Sequence, residues 1–284
     1  MITKIKNSWE LAKESFQVLS KDKELMMFPV ISSLVLIVVM ASFFVSAGYL
    51  YNSLEQTGAQ GAGLEVIGAV VLFLFYFISY FIIVFFNVGI IQCARIRFEG
   101  GDPTFMDGIK AGISNLGLII QWAALSGIIG VLLAQLERFL GEALGGFVRK
   151  LLGGAWSIVT FFAVPVLIFE KTNAWESLKK SGTIIKKTWG ESLTAYLGFG
   201  ALQGALVGGT FLLAIAALAV SIVTSNFIIL AVVGGLVVLS WILMAIIFST
   251  LTQIYRTALY IYATTGEAPK VFSEDRIKFA FTEK

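Results

Sequence analysis

The chain has 284 residues, of which 57% are hydrophobic and 14% are charged, and its formal net charge is +3. Soluble domains carry about 25% charged residues, so this composition excludes an ordinary water-soluble domain. The sequence has no histidine and one cysteine, Cys93, which excludes an intramolecular disulfide and the usual zinc, copper, haem and iron–sulfur ligand sets. We therefore expect no metal and no cofactor, and the sequence shows no catalytic constellation, so no catalytic residues are expected either.

Five long stretches of the chain contain no charged residue. They have 30, 29, 26, 19 and 64 residues and cover 25–54, 66–94, 111–136, 151–169 and 192–255. A bilayer core needs about 20 helical residues per crossing, so the first four stretches each supply one helix and the fifth supplies two. Six transmembrane helices are predicted, at 28–50, 66–93, 114–135, 155–170, 193–223 and 227–260.

Two breaks are predicted inside these stretches. The polar run Thr224-Ser225-Asn226 is expected to form the turn between the last two helices, because bare irregular backbone is not tolerated inside lipid. Pro165 lies in the fourth and shortest predicted helix, where its missing N–H predicts a kink.

The distribution of lysine and arginine predicts the orientation. Eighteen of the 21 basic residues fall in the N-terminal segment, the second and fourth loops and the C-terminal end. The other three, Arg138, Arg149 and Lys150, all lie in the third loop. Basic residues in short loops mark the cytoplasmic side, so both termini are expected there, and the localisation is predicted as the plasma (inner) membrane.

Each predicted pair of helices follows a segment with the pattern of an amphipathic surface helix. These segments begin at Ser8-Trp9, Thr104-Phe105 and Ala174-Trp175, and apolar residues then recur at helical spacing. Ser8 and Thr104 are candidate N-caps. The predicted fold is an all-α integral membrane domain over 1–284, built of three units that each combine a cytoplasmic surface helix with a hairpin. Within it, 1–27 is an amphipathic segment and 264–284 a cytoplasmic tail. The alternative is that alternating loops and spans alone produce the periodicity.

Three runs of sequence carry a resemblance to a known group of proteins. They are SWELAKESFQVLSKDKELMMFP, then WSIVTFFAVPVLIFE followed by SLKKSGTIIKKTWGE, and finally RTALYIYATTGEAPKVF. In these runs the chain resembles a family of uncharacterised prokaryotic six-helix membrane proteins. More distantly it is similar to the membrane domain of some glycerophosphodiester phosphodiesterases. The resemblance implies a fold and transfers no catalytic residue, because the soluble phosphodiesterase domain is missing.

Three sets of residues are candidates for function. The candidate lipid-headgroup site consists of Lys179, Lys180, Lys186, Lys187, Trp175 and Trp189, since juxtamembrane lysines attract anionic lipid. The candidate polar vestibule consists of Asn87, Gln92, Gln121 and Gln253, for which interhelical hydrogen bonding is the alternative. The third set, Gly200, Gly204 and Gly208, forms two G-x-x-x-G steps that favour helix packing, within the monomer or in a dimer.

Two further segments are amphipathic. Residues 136–152 are expected to form a short helix lying on the external surface, in a position to cap a cavity. The tail after Pro269 carries Phe272, Ile277, Phe279 and Phe281 among charges, which predicts that it docks on the cytoplasmic face or on a partner.

Two classes of function follow. The first is a non-enzymatic membrane module that binds lipid, or another membrane protein, at the cytoplasmic interface. The alternative is a passive transporter or channel for a neutral or hydrophobic solute. The absence of ionisable residues from the middles of the predicted spans argues against a proton-coupled carrier. Membrane lipids are the expected partners, nucleic acid is not expected, and the oligomeric state is not predicted.

Overall fold

The structure, a computed structural model, describes residues 2–56, 62–188 and 194–279. Within these ranges the chain forms ten α-helices, with a short 3-10 turn at Lys23–Met26. The helices are α1 (Ile2–Lys21), α2 (Met27–Gln56), α3 (Ala62–Phe98), α4 (Phe105–Ser114), α5 (Leu116–Val159), α6 (Ala163–Phe169), α7 (Ala174–Thr188), α8 (Thr194–Thr224), α9 (Phe227–Thr265) and α10 (Glu274–Phe279). Two compact units result: the described parts of 1–26 and 189–284 form the first unit, and 27–188 form the second.

Six helical segments in the described part of the chain are long and apolar enough to cross a membrane. They are Lys23–Leu50, Val66–Phe98, Leu116–Gly141, Leu144–Phe169, Gln203–Thr224 and Phe227–Thr265. The number of spans predicted from the charge-free stretches is therefore confirmed. The predicted turn between the last two is also confirmed: Ser225 has a positive φ of 50°, and the Asn226 side chain accepts a hydrogen bond from Ile228 N–H at 3.1 Å.

The third loop differs from its prediction. Residues 136–152 do not form a surface helix, because α5 runs through them and turns only at Gly141, whose φ of 76° and ψ of 167° are non-helical. Arg149 Nη1 and Glu137 Oε2 lie 2.6 Å apart across this turn, so two of the charges that suggested a surface helix neutralise each other. A Cβ at Gly145 would overlap the Glu137 carbonyl oxygen, so the close approach requires glycine there.

The fourth span consequently begins earlier than predicted, at Leu144, and it is broken near its far end. The first part, in α5, ends at Val159, and α6 resumes the helix at Ala163. Pro165 occupies the first turn of α6. The N–H groups of a first turn have no acceptor within the helix, so the proline removes no hydrogen bond there. The fourth span is thus interrupted as predicted, but the interruption lies before Pro165 and separates two helices, where a kink within one helix was expected.

In the second unit, α3 packs against α2, α4 and α5. Its core includes Val84, Val88, Ile119, Trp122 and Leu167, all at most 4% exposed. Helices α3 and α4 approach closely where Gly89 faces Gly108: a Cβ added at Gly108 would lie 3.0 Å from Gly89 Cα and would overlap the fully buried ring of Phe28.

In the first unit, α8 and α9 form a hairpin, and α1 packs across both. Helix α9 has 39 residues and a length of about 58 Å, well beyond the thickness of a bilayer core of about 30 Å. Its buried residues concentrate between Phe248 and Tyr260, where α1 covers it. Helix α1 begins at Ile2, so the predicted N-cap at Ser8 is wrong and Ser8 lies inside the helix.

Candidate functional site

Helix α7 has two faces of different chemistry. Ala174, Ser177, Ser181 and Ile184 are buried, and their spacing of three and four residues places them on one side of a helix. This side packs against α5 and α6. Small and hydroxyl-bearing side chains dominate it, which allows a close approach to the neighbouring backbone.

The opposite face of α7 carries most of the predicted lipid-headgroup residues. Lys179, Lys180, Lys186 and Lys187 are all exposed, and the side chain of Trp175 is 56% exposed. The structure therefore brings these five residues onto one helix and away from its packed side. Trp189, the sixth predicted member, lies outside the described residues.

The four lysines differ in their electrostatic environment. Lys180 forms an ion pair with Glu170, and Lys179 Nζ lies 5.4 Å from the centre of the Trp175 ring, a cation–π arrangement. Lys186 and Lys187 take part in no ion pair among the residues that the structure describes. The C-terminal end of α7 thus presents two positive charges with no ion-pair partner among the described residues, and these charges also suit the helix dipole.

The buried face of α7 contacts the break in the fourth span. The backbone N–H of Phe162, a fully buried residue, donates a hydrogen bond to Ser181 Oγ at 3.0 Å. An unpaired buried N–H costs about 1–3 kcal/mol, so Ser181 stabilises a break that would otherwise be unfavourable. On the other side of the break, the Phe162 carbonyl accepts from Val166 N–H at 2.9 Å.

The level at which α7 packs follows from the helical rise. A Cβ at Gly182 would lie 3.6 Å from Val159 Cγ1, so α7 touches the fourth span there. Val159 lies 18 residues after the turn at Gly141, about 27 Å along the helix. A hydrocarbon core is about 30 Å thick, so α7 lies about one core thickness from the turn.

The two other amphipathic helices lie at comparable levels on their own hairpins. Gly112 of α4 packs against Phe85, 23 residues and about 35 Å along α3 from its start at Ala62. Helix α1 packs beside Leu206, 19 residues and about 29 Å before the turn at Ser225.

The packing partners of the three helices follow one order. Helix α4 packs mainly on α3 and α7 on α5 and α6, which in each case belong to the hairpin that precedes it in the chain. Helix α1 has no preceding hairpin, and it packs on α8 and α9, the last one. Sequence periodicity could not reveal this order, because it identifies the buried face of a helix and not its partner.

The predicted vestibule residues occupy different environments. Asn87 and Gln92 are half-buried on α3, and Gln121 is exposed on α5. Gln253 is 8% exposed on α9, in the first unit. Their convergence on a common cavity stays a prediction.

The glycine face of α8 is open within its own unit. A Cβ at Gly200, Gly204 or Gly208 would meet no heavy atom of that unit within 4 Å. The predicted packing role of these glycines therefore has no partner among the described residues of the hairpin.

Glu14 was missed in the sequence. It is 6% exposed on the packed side of α1, and its Oε1 accepts a hydrogen bond from the Ser273 backbone N–H at 3.3 Å. This contact joins α1 to the chain just before α10, where Phe272 and Ile277 are buried as predicted for the tail. Phe279 and Phe281 carry no described side chain. The sequence does indicate that Glu14 is buried, because it lies three residues after Leu11 and four before Val18 and so shares the apolar side of the helix with them.

This arrangement of apolar helices and amphipathic helices defines a multi-pass membrane protein. The chain belongs to a family of unknown function, DUF6159, whose model matches residues 66–270. The match covers α3 to α9 and so includes α7 and the broken fourth span. A comparison with curated proteins finds no match.

Proposed function

We propose that the chain is a non-enzymatic membrane module that binds anionic lipid headgroups through the exposed face of α7. The observation that carries this proposal is the position of four exposed lysines on a helix that is packed about one hydrocarbon thickness from the Gly141 turn. Lysines at that level meet the headgroup layer, and Trp175 beside them has the amphipathic ring favoured at that depth.

The magnitude of the attraction is sufficient for selective binding. A basic residue near an anionic membrane surface contributes about 1 kcal/mol. Lys180 is partly neutralised by Glu170, so Lys179, Lys186 and Lys187 together supply about 3 kcal/mol, or roughly two orders of magnitude in affinity. The effect is screened by salt, since the Debye length is about 8 Å at physiological ionic strength.

The finer architecture belongs to the same proposal. We place α1, α4 and α7 on the cytoplasmic surface of the plasma membrane, as three surface helices of three repeated units. Two observations support this: 18 of 21 basic residues lie on one side of the spans, and each of the three helices packs far from the turn end of a hairpin. The resemblance to the membrane domain of glycerophosphodiester phosphodiesterases supplies no catalytic residue for this chain.

The broken fourth span favours a second candidate, a passive transporter, because interrupted helices line the substrate sites of many carriers. The packing at the break weighs against it. Phe161, Phe162 and Ala163 are at most 2% exposed, and Ser181 already occupies the Phe162 N–H. A break that is filled in this way supports α7 through close packing and a hydrogen bond.

The test is lipid selection by the reconstituted full chain. The protein is purified from nanodiscs of mixed phosphatidylcholine and phosphatidylglycerol, and retained lipid is counted by native mass spectrometry. Changing Lys179, Lys180, Lys186 and Lys187 together to Gln is expected to reduce the enrichment of phosphatidylglycerol. The control, Arg138→Gln with Lys150→Gln, removes exposed charges near the Gly141 turn and should leave the enrichment intact. Unchanged enrichment in the fourfold variant refutes the proposal, and a stoichiometric polypeptide in place of lipid assigns the surface to a protein partner.

A further inference from the structure

A groove of about 420 Å³ runs between α1 and the hairpin of α8 and α9, entirely within the first unit. Binding sites for small molecules have volumes of about 300–1,000 Å³, so the groove is large enough to hold a ligand. Its walls are apolar except for the side chains of Lys13 and Gln17, both on α1.

The apolar walls are open to the surroundings. Trp9 is 46% exposed, Phe16 is 52% exposed and Leu206 is 45% exposed, and all three line the groove. An amphipathic helix that turned only its charged side outward would not present two large aromatic side chains on that side. Exposed apolar patches of this kind mark contact sites for membranes or other proteins, and acyl chains would supply such an apolar contact.

The level of the groove along the spans agrees with this. Leu206 lies 19 residues before Ser225, and Ile247 lies 21 residues after Asn226, distances of about 29 and about 32 Å along the helices. The hydrocarbon core is about 30 Å thick, so the groove lies where acyl chains meet headgroups, at the end of the hairpin opposite its turn.

The polar end of the groove has the ammonium group of Lys13, which Glu10 partly neutralises. Lys13 Nζ lies 3.1 Å from Glu10 Oε1 and 5.9 Å from the centre of the Trp9 ring, and its side chain is 53% exposed. An ammonium group has three hydrogen-bond donors, and Glu10 takes one, which leaves two for a phosphate. The charge thus lies beside an apolar channel, as the two parts of an anionic phospholipid require.

We infer that the groove binds one anionic phospholipid, with an acyl chain along Phe16, Leu206 and Phe248 and the phosphate at Lys13. This site is formed by α1, α8 and α9 and rests on observations that do not involve α7. It adds a single-molecule site to the headgroup-binding surface proposed above, with the same class of ligand.

The test is photo-cross-linking in nanodiscs of phosphatidylcholine that contain phosphatidylglycerol with a diazirine on its acyl chain. Cross-links mapped by mass spectrometry are expected to concentrate on residues 9–17 and 247–251. Leu206→Trp fills the groove and should reduce these cross-links about tenfold, which corresponds to about 1.4 kcal/mol of binding free energy. Leu213→Trp is the matched control, because Leu213 is also exposed on α8 but lies two turns deeper and outside the groove. Its cross-links should equal those of the wild type.

Two further variants test the apolar wall of the groove and the role of Lys13 separately. Phe16→Ala removes one wall at an exposed position, so it should fold and should also lose the cross-links. Lys13→Gln should abolish the preference for phosphatidylglycerol over an equally labelled phosphatidylcholine while cross-links to both persist. Cross-links spread evenly along α8 and α9, or unchanged by Leu206→Trp and Phe16→Ala, would show ordinary surrounding lipid and overturn the inference. A polypeptide cross-linked to the groove in place of lipid would overturn it too.

The two lipid proposals can be refuted independently of each other. The fourfold lysine variant of α7 is expected to keep the groove cross-links, and Leu206→Trp is expected to keep the enrichment of phosphatidylglycerol that depends on α7.

Discussion

The side chain of Ser181 accepts a hydrogen bond from the backbone N–H of Phe162 at 3.0 Å, and this contact joins α7 to the break between α5 and α6. The two residues are separated by 19 positions, and neither is accessible to solvent. The same hydrogen bond therefore attaches α7 to the fourth span and satisfies the backbone at its interruption.

Ser181→Ala should destabilise this region. It leaves the Phe162 N–H buried without its acceptor, at a cost of about 1–3 kcal/mol. The measurement is the free energy of unfolding in mild detergent, compared with Thr183→Ala, which removes an exposed hydroxyl from the same helix. Equal stability of the two variants would show that another group can satisfy the Phe162 N–H.

Gly108→Ala should strain the packing of α3 on α4. The added Cβ would overlap the buried ring of Phe28 and would lie 3.0 Å from Gly89 Cα, and overpacking of this kind costs about 1–3 kcal/mol. Thermal unfolding should show a lower midpoint, and combining the change with Phe28→Leu should recover part of it. Gly117→Ala is the control, because no atom lies within 4 Å of its added Cβ, and it should not lower the midpoint. A Gly108→Ala variant as stable as the wild type would contradict the close approach of the two helices.

Thr104→Ala should weaken α4 and shift the titration of Asp107. Thr104 is the N-cap of α4, as predicted, and the structure adds a capping box with Asp107; loss of such a cap costs about 0.5–2 kcal/mol. Hydrogen bonds from the Thr104 side chain and backbone hold the pKa of Asp107 below its ordinary value of 3.8. Carboxyl NMR should show that this pKa rises toward 3.8 in Thr104→Ala.

The sign of the pH dependence follows from that depressed pKa. A carboxyl group whose pKa is lowered by folding stabilises the protein above its unfolded pKa, and it loses this contribution as the pH falls through the folded pKa. The stability difference between wild type and Thr104→Ala should therefore be complete above pH 3.8 and should shrink below it. A difference that grows on acidification would contradict the assignment.

The orientation can be tested by labelling single cysteines. In a Cys93→Ser background, a cysteine at Thr183 on α7 should react with a membrane-impermeant maleimide only from the cytoplasmic side. A cysteine at Phe139, which is 87% exposed near the Gly141 turn, should react only from the outside. Reaction of both positions from the same side would contradict the topology, and reversed sides would contradict the predicted orientation.

The spans were predictable because burying a charge in lipid is costly, so each span largely coincides with a long stretch without charged residues. The break before Pro165 and the turn at Ser225 and Asn226 were predictable from local backbone chemistry for the same kind of reason. The turn at Gly141 was not predictable. The charges of Glu137 and Arg149 suggested a polar surface helix, and only the structure shows that they form an ion pair across the hairpin.

The candidate site was predictable only in part. The spacing of Lys179, Lys180, Lys186 and Lys187 on α7 indicated one basic face, and the structure places all four on it. The packing of α1 on α8 and α9 joins residues about 190 to 240 positions apart, and no periodicity in any of these segments encodes it. The groove at Lys13 and the buried Glu14 depend on that packing and were therefore missed.

The most direct test of the central claim is the membrane depth of the exposed face of α7. A nitroxide attached to a cysteine at Thr183, in the Cys93→Ser background, is measured by power-saturation EPR in phosphatidylglycerol-containing nanodiscs. The nitroxide is expected at the level of the lipid phosphates, and its environment should become more aqueous when Lys179, Lys180, Lys186 and Lys187 are changed to Gln. A nitroxide with the accessibility of a fully aqueous label in the wild type would contradict the proposed contact between α7 and lipid headgroups.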